Sequence, residues 1–228
     1  MEPPRFAAMR EAFSEQLSTV RDELVEMAGR VRQAVADATI ALIEADGALA
    51  SSVIDSDVAI DLLRVKIEED SFQMMALQSP VATDLRMLVA GLRMVSDLER
   101  MGDLAVHVAK IVQLRLPQSA APQQVLPIIS RMGSLAEVMV GRVEHIIAAN
   151  DLDAARALDE VDEEMDRLRR ESFTALLSAE WSHGVEPAVD TALLGRYYER
   201  IADHAVSVAN RVIYLVTGEM PNADGQVG

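Results

Sequence analysis

Eight acidic residues fall into four pairs of identical spacing: Asp57/Asp61, Glu99/Asp103, Asp162/Asp166 and Glu199/Asp203. Residues four apart on an α-helix share a face, with Cβ atoms about 5–6 Å apart, so each pair sets two carboxylates side by side. Like charges at that spacing destabilise a helix unless a counter-charge stands against them. Oxygen-only clusters of this kind suit hard or borderline divalent cations, or iron. The competing reading is a solvated acidic stripe, or acids paired with Arg100, Arg196 and Arg200. The chain has no cysteine, which removes disulfides, thiolate metal sites and cysteine nucleophiles.

The elements that must carry these pairs are marked by proline, which helix interiors exclude. Prolines cluster at 3–4, 80, 117–127, 187 and 221, with further turn signals at Asp46-Gly47, Ser51-Ser52, Asn150-Asp151 and His183-Gly184. This punctuation predicts six helices, near 6–46, 50–78, 81–115, 123–149, 152–181 and 186–217. Residues 116–124 read as a linker, 1–8 as a flexible extension, and 218–228 as a flexible tail. The domain expectation is a first three-helix unit over 1–115 and a second over 123–217. The fold class expected is all-α, in two tandem pseudo-symmetric three-helix bundles.

Two internal offsets support the duplication. The pattern E-R-x-x-D-x-A-V-x-V-A starts at Glu99 and again at Glu199, 100 residues on, while Asp57/Asp61 and Asp162/Asp166 are 105 apart. The acids are also in axial register. Asp61 lies 19 residues before Pro80 and Glu99 19 after it; Asp57 and Asp103 lie 23 before and 23 after. In the second unit both acid pairs centre between Ser182 and His183, at the second predicted turn. With equal rise per residue in two antiparallel helices, facing pairs come to one height. On the third helix Leu85, Leu88, Val89, Leu92 and Val95 form an apolar stripe that Glu99, Asp103 and His107 continue, and on the sixth Glu199, Asp203 and Ser207 hold the matching side. Four carboxylates per unit can therefore converge beside an inward stripe.

Composition narrows the function classes. A net charge of −16 lacks the basic footprint of nucleic-acid binding, and it favours hard cations and basic protein surfaces as partners. No basic region followed by an apolar run marks a signal peptide at the start, and no run reaches the roughly 20 apolar residues of a membrane span. With only four Phe, three Tyr and one Trp, the core must be filled by Ala, Leu, Val and Met; Met74, Met75, Met87, Met94 and Met101 read as core filler. Glu180-Trp-Ser-His183 has the E-x-x-H spacing of di-iron bundles but occurs once, at a turn. His145, His183 and His204 show no triad arrangement, and Gly102 and Gly141 sit inside helices instead of forming a phosphate cradle. A carboxylate-bridged metal enzyme and a metal-free helical adaptor are the alternative classes.

Glu99-Arg-Met-Gly-Asp103 and Glu199-Arg-Ile-Ala-Asp203-His-Ala resemble the paired signatures of the PhoU family. So do Ser79-Pro-Val-Ala-Thr-Asp-Leu-Arg86 and the ending Arg211-Val-Ile-Tyr-Leu-Val-Thr-Gly-Glu219, and the resemblance runs from Met9 to Glu219. It implies two three-helix bundles with multinuclear clusters of divalent or trivalent metal ions, iron, zinc or magnesium. The ligands it implies are Asp57, Asp61, Glu99, Asp103, Asp162, Asp166, Glu199 and Asp203; His107 and Ser207 stand where many members carry Asn. It further implies a non-enzymatic negative regulator of phosphate uptake and of the phosphate-starvation response. Such a regulator links the ATPase of a phosphate ABC transporter to a sensor histidine kinase. By the same resemblance the chain is expected to be cytoplasmic, peripheral to the inner membrane through its partners, and homodimeric.

Overall fold

In a computed structural model that describes residues 4–219, the chain is helical almost throughout. The helices are α1 (Pro4–Glu44), α2 (Gly47–Gln78), α3 (Thr83–Arg115), α4 (Leu126–Ala149), α5 (Leu152–Arg156), α6 (Leu158–Leu176) and α7 (Val185–Thr217). Five of the six expected helices match α1 to α4 and α7. The expected 152–181 helix is broken at Ala157 into α5 and α6 and stops at Leu176. The break lets Ala155 and Leu158, on either side of it, both be buried. The second helix starts at Gly47, earlier than expected, because Asp46 caps it. The Asp46 carboxylate accepts the N–H groups of Ala48 and Leu49 at 2.8 and 3.0 Å. Asp151, 105 residues on, caps α5 in the same way through Asp153 and Ala154 at 3.1 and 3.0 Å. From Pro4 on, the expected extension is part of α1. Gly218, with φ of 84°, closes α7 as a left-handed C-cap whose N–H donates to Tyr214 O. Residues 1–3 and 220–228 of the expected extension and tail lie outside the described residues.

Helix α1 packs on α2, α3 and α4, and α7 packs on α3, α4, α5 and α6. The four helices α1, α3, α7 and α4 thus close a central square, with α2 on its α1–α3 edge and α6 on its α4–α7 edge. One continuous apolar core runs through both bundles, from Phe13 in α1 to Ile213 in α7. Met27, Met101, Met132 and Met139 are among its fully buried side chains, and Met74 and Met94 are buried too. Met75 and Met87 pack against it from its edge. The linker joins in through Ala120, Ala121 and Val125, which are buried, while residues 116–119 are exposed. Glycine lets α1 and α4 approach closely. A Cβ on Gly133 would overlap the Thr39 side chain.

The seam between α3 and α7 is antiparallel. Arg115 at the end of α3 binds Asp190 near the start of α7 at 2.6 Å, and Arg86 near the start of α3 lies over the Tyr214 ring near the end of α7. The two hairpin tips therefore point to opposite ends of the molecule. Near the first tip, Leu85 and Val89 of the expected inward stripe are exposed at 41% and 37%, whereas Leu88 and Val95 are buried. The stripe is wider than the groove that α2 and α1 cover there.

Candidate metal centre

Each hairpin carries its four acids on two helices packed against each other. In the first, α2 carries Asp57 and Asp61, and α3 carries Glu99 and Asp103. The close approach is made at Gly102, where a Cβ would sit 3.5 Å from Asp57 Oδ1 and 3.1 Å from Ile60 Cδ1. Burial, then the charges of Asp103 and Asp61, push the Asp57 carboxyl above its ordinary range. Burial, then Asp103, does the same to Glu99, with Asp61 adding to the effect while Arg100 and Arg64 oppose it. In the second hairpin, burial and then Asp203, Asp166, Asp159 and Glu199 push Asp162 up to about 6. Carboxylates on neighbouring helices thus contribute to these shifts in both repeats, after burial.

Several of these acids are paired with arginine. Arg100 reaches Asp103 at 3.1 Å and Glu99 at 3.6 Å, and Arg64 stands 3.7 Å from Asp61. Glu199, the most buried of the eight with a side chain 9% exposed, is held by Arg169 at 2.9 Å and by Arg196. Arg170 stands 3.6 Å from Asp166. No three carboxylate or imidazole groups among the described residues stand close enough together to hold a metal ion. The donor set itself fits one: four carboxylates per hairpin, partly buried and mutually repelling, on two helices at one height. Asp57, Asp61, Glu99 and Asp103 would hold it in the first repeat, and Asp162, Asp166, Glu199 and Asp203 in the second.

Arg100 and Arg196 pair with the acids as the sequence suggested, whereas Arg200 does not. Arg64 and Arg170 were also legible, at three and four residues from Asp61 and Asp166. Arg169 reaches Glu199 across two helices and carries no local signal. His107 is exposed and stacks on Tyr197 with ring centroids 5.3 Å apart. Glu180 and His183 are exposed at the second tip. The His183 ring meets the edge of Trp181, whose Nε1–H donates to Gly184 O at 2.8 Å.

No described helix is long and apolar enough to cross a membrane. A family model for the PhoU domain matches the chain twice, over residues 24–112 and 129–212, one match per bundle. The phosphate-specific transport system accessory protein PhoU homolog 2 of Mycobacterium tuberculosis is 46% identical over 213 residues, covering 93% of this chain and all of the relative. PhoU homolog 1 of Mycobacterium leprae is 43% identical, over 95% of this chain and 97% of that protein. The crystal structure of PhoU from Pseudomonas aeruginosa superposes with a TM-score of 0.83 at 33% identity, over 90% of this chain and 99% of that one. The duplicated hairpins, their registered acids and these matches place the chain in the PhoU family.

Proposed function

We propose that this chain is a metal-binding regulatory accessory protein of a phosphate transport system. It restrains phosphate uptake and the phosphate-starvation response by contacting the transporter's ATPase and a sensor histidine kinase. It acts as a homodimer in the cytoplasm, held at the inner membrane through those partners. The transport role is supported by the relatives, which are described as accessory proteins of phosphate-specific transport. The metal role is supported by one observation above the others: in each hairpin an acid of the flanking helix, Asp57 or Asp162, is partly buried beside acids of the central helix, and burial and then those charges raise its affinity for protons.

A bound divalent or trivalent cation would neutralise that repulsion and tie each flanking helix to the central square. The chain's own residues make the tie selective in position. Asp57 and Asp61 reach from α2, which packs only on α1 and α3, and Asp162 and Asp166 reach from α6. Arg64, Arg100, Arg169, Arg170 and Arg196 pair with the same carboxylates, so a cation would compete with these guanidinium groups for the carboxylate oxygens. Those ion pairs are also what a metal-free adaptor would show, and metal content separates the two readings. Elemental analysis of untagged protein purified without chelator should find metal in wild type. The content should drop by about half in Glu99→Ala/Asp103→Ala and in Glu199→Ala/Asp203→Ala, with helical circular dichroism unchanged, because each variant removes two of four ligands from one of two sites. Equal metal content in wild type and both variants would sink the assignment.

A further inference from the structure

The α3–α7 seam holds a cavity of about 150 Å³ lined by Arg100, Asp103, Leu104 and His107 of α3 and by Tyr197 and Arg200 of α7. We propose that this cavity binds a small tetrahedral oxyanion, with Arg100 and Arg200 as its two cationic jaws and the Tyr197 and His107 rings as its wall. The proposal rests on the metal assignment for its control, not for its ligand.

The internal symmetry of the molecule supplies the first argument. The 100-residue offset makes Arg100 and Arg200 mates, and the antiparallel seam brings both to one cavity. The same offset maps the cavity onto a second place on the seam, built from Arg200, Asp203, His204, Ser207, Asp97 and Arg100. There the protein supplies its own anion. The buried Asp97 carboxylate receives His204 Nδ1 at 3.0 Å and Arg211 Nε at 2.7 Å. In the cavity the mate of Asp97 is Tyr197, so α7 brings no carboxylate to it. The Tyr197 ring instead lies flat against His107 and walls one side. Arg200 makes no ion pair among the described residues, in a chain with a large excess of acids.

Size and charge choose the ligand. Drug-sized or nucleotide ligands need roughly 300 Å³ or more, so a cavity of half that volume takes a small ion and its waters. Two guanidinium groups at one cavity are the donors that bind phosphate-like oxygens in paired hydrogen bonds. One internal competitor is present: Asp103 lines the cavity and occupies Arg100 at 3.1 Å. Asp103 is also one of the four acids of the first metal cluster. A cation that takes Asp103 and Glu99 releases Arg100 into the cavity and removes the local negative charge, so cation and oxyanion bind with positive coupling. Linkage makes the coupling reciprocal.

Inorganic phosphate is the probe, titrated calorimetrically into the full-length protein loaded with Mn²⁺, with metal content measured in parallel. The expected result is saturable phosphate binding that weakens about tenfold or more in Arg200→Gln, at unchanged metal content and helicity. Phosphate binding in Arg200→Gln equal to wild type would overturn the proposal, since the anion would then be held by the metal alone. Absence of phosphate binding in metal-loaded wild type would overturn it as well. If the wild-type protein takes up no metal, the metal assignment fails by itself, and the oxyanion site is judged in Asp103→Asn, where Arg100 has lost its internal partner. That variant should then bind phosphate in an Arg200-dependent way, and no binding there rejects the site.

Discussion

Among single residues, Asp162 carries the sharpest chemical signature. Its carboxyl is half-buried and faces four other acids, so the folded chain holds a proton there up to about pH 6, against a reference value of 3.8. A carboxyl raised on folding favours the folded state while it is protonated. That contribution is lost as pH rises from about 4 to about 6, and above it the ionised group is a net cost. On chelator-treated protein, Asp162→Asn should therefore raise stability at pH 7 by on the order of 1–2 kcal/mol, allowing for solvent screening, and leave it unchanged near pH 4. Urea midpoints at the two pH values test this, and an equal shift at both would contradict it. Protons and cations compete for the same oxygens, so metal uptake at this hairpin should fall as pH drops through 6.

At the level of helices, the α3–α7 seam is held by charges that sit where apolar residues alone could not fix register. Asp97 on α3 is buried and joins both His204 and Arg211 of α7, while Arg115 joins Asp190 and Glu186 at the far end. Removing the acid leaves Arg211 facing a buried surface without its partner, which is worse than never having had the pair. Asp97→Ala should cost about 3 kcal/mol in denaturant unfolding. A change below about 0.5 kcal/mol, the level of an ordinary surface substitution, would show that the seam is set by packing alone.

In the molecule as a whole, two hairpin-bearing bundles are fused through the α1–α4 and α3–α7 seams into one core. The α1–α4 seam depends on the absence of a side chain. Thr39, facing Gly133, is buried and hydrogen-bonded both to Val35 O at 2.7 Å and to the Tyr198 hydroxyl at 2.9 Å, so it cannot swing aside. Gly133→Ala should destabilise the whole chain by about 1–3 kcal/mol, as overpacking does elsewhere, without splitting the transition in two. Calorimetry that showed separate melting of the two bundles would mean that their shared core is not one cooperative unit. The flanking helices α2 and α6 lie outside this square, and at the height of the second cluster Arg169 of α6 ties its helix to Glu199 of α7.

Much of this was legible before folding. Proline punctuation and the 3.6-residue period located five of the six helices. The equal distances of Asp57, Asp61, Glu99 and Asp103 from Pro80 placed four carboxylates at one height, because rise per residue is a property of any α-helix. Other features were decided by tertiary contact. The break at Ala157 follows from which residues face the core, and the exposure of Leu85 and Val89 from where α1 and α2 stop covering α3. The Asp97–His204–Arg211 cluster, the Arg169–Glu199 pair and the Arg100–Arg200 cavity join residues from 30 to 114 positions apart. Local spacing fixes which residues share a face of one helix. Which faces meet depends on how a single core is filled, and that is a property of the whole packed chain.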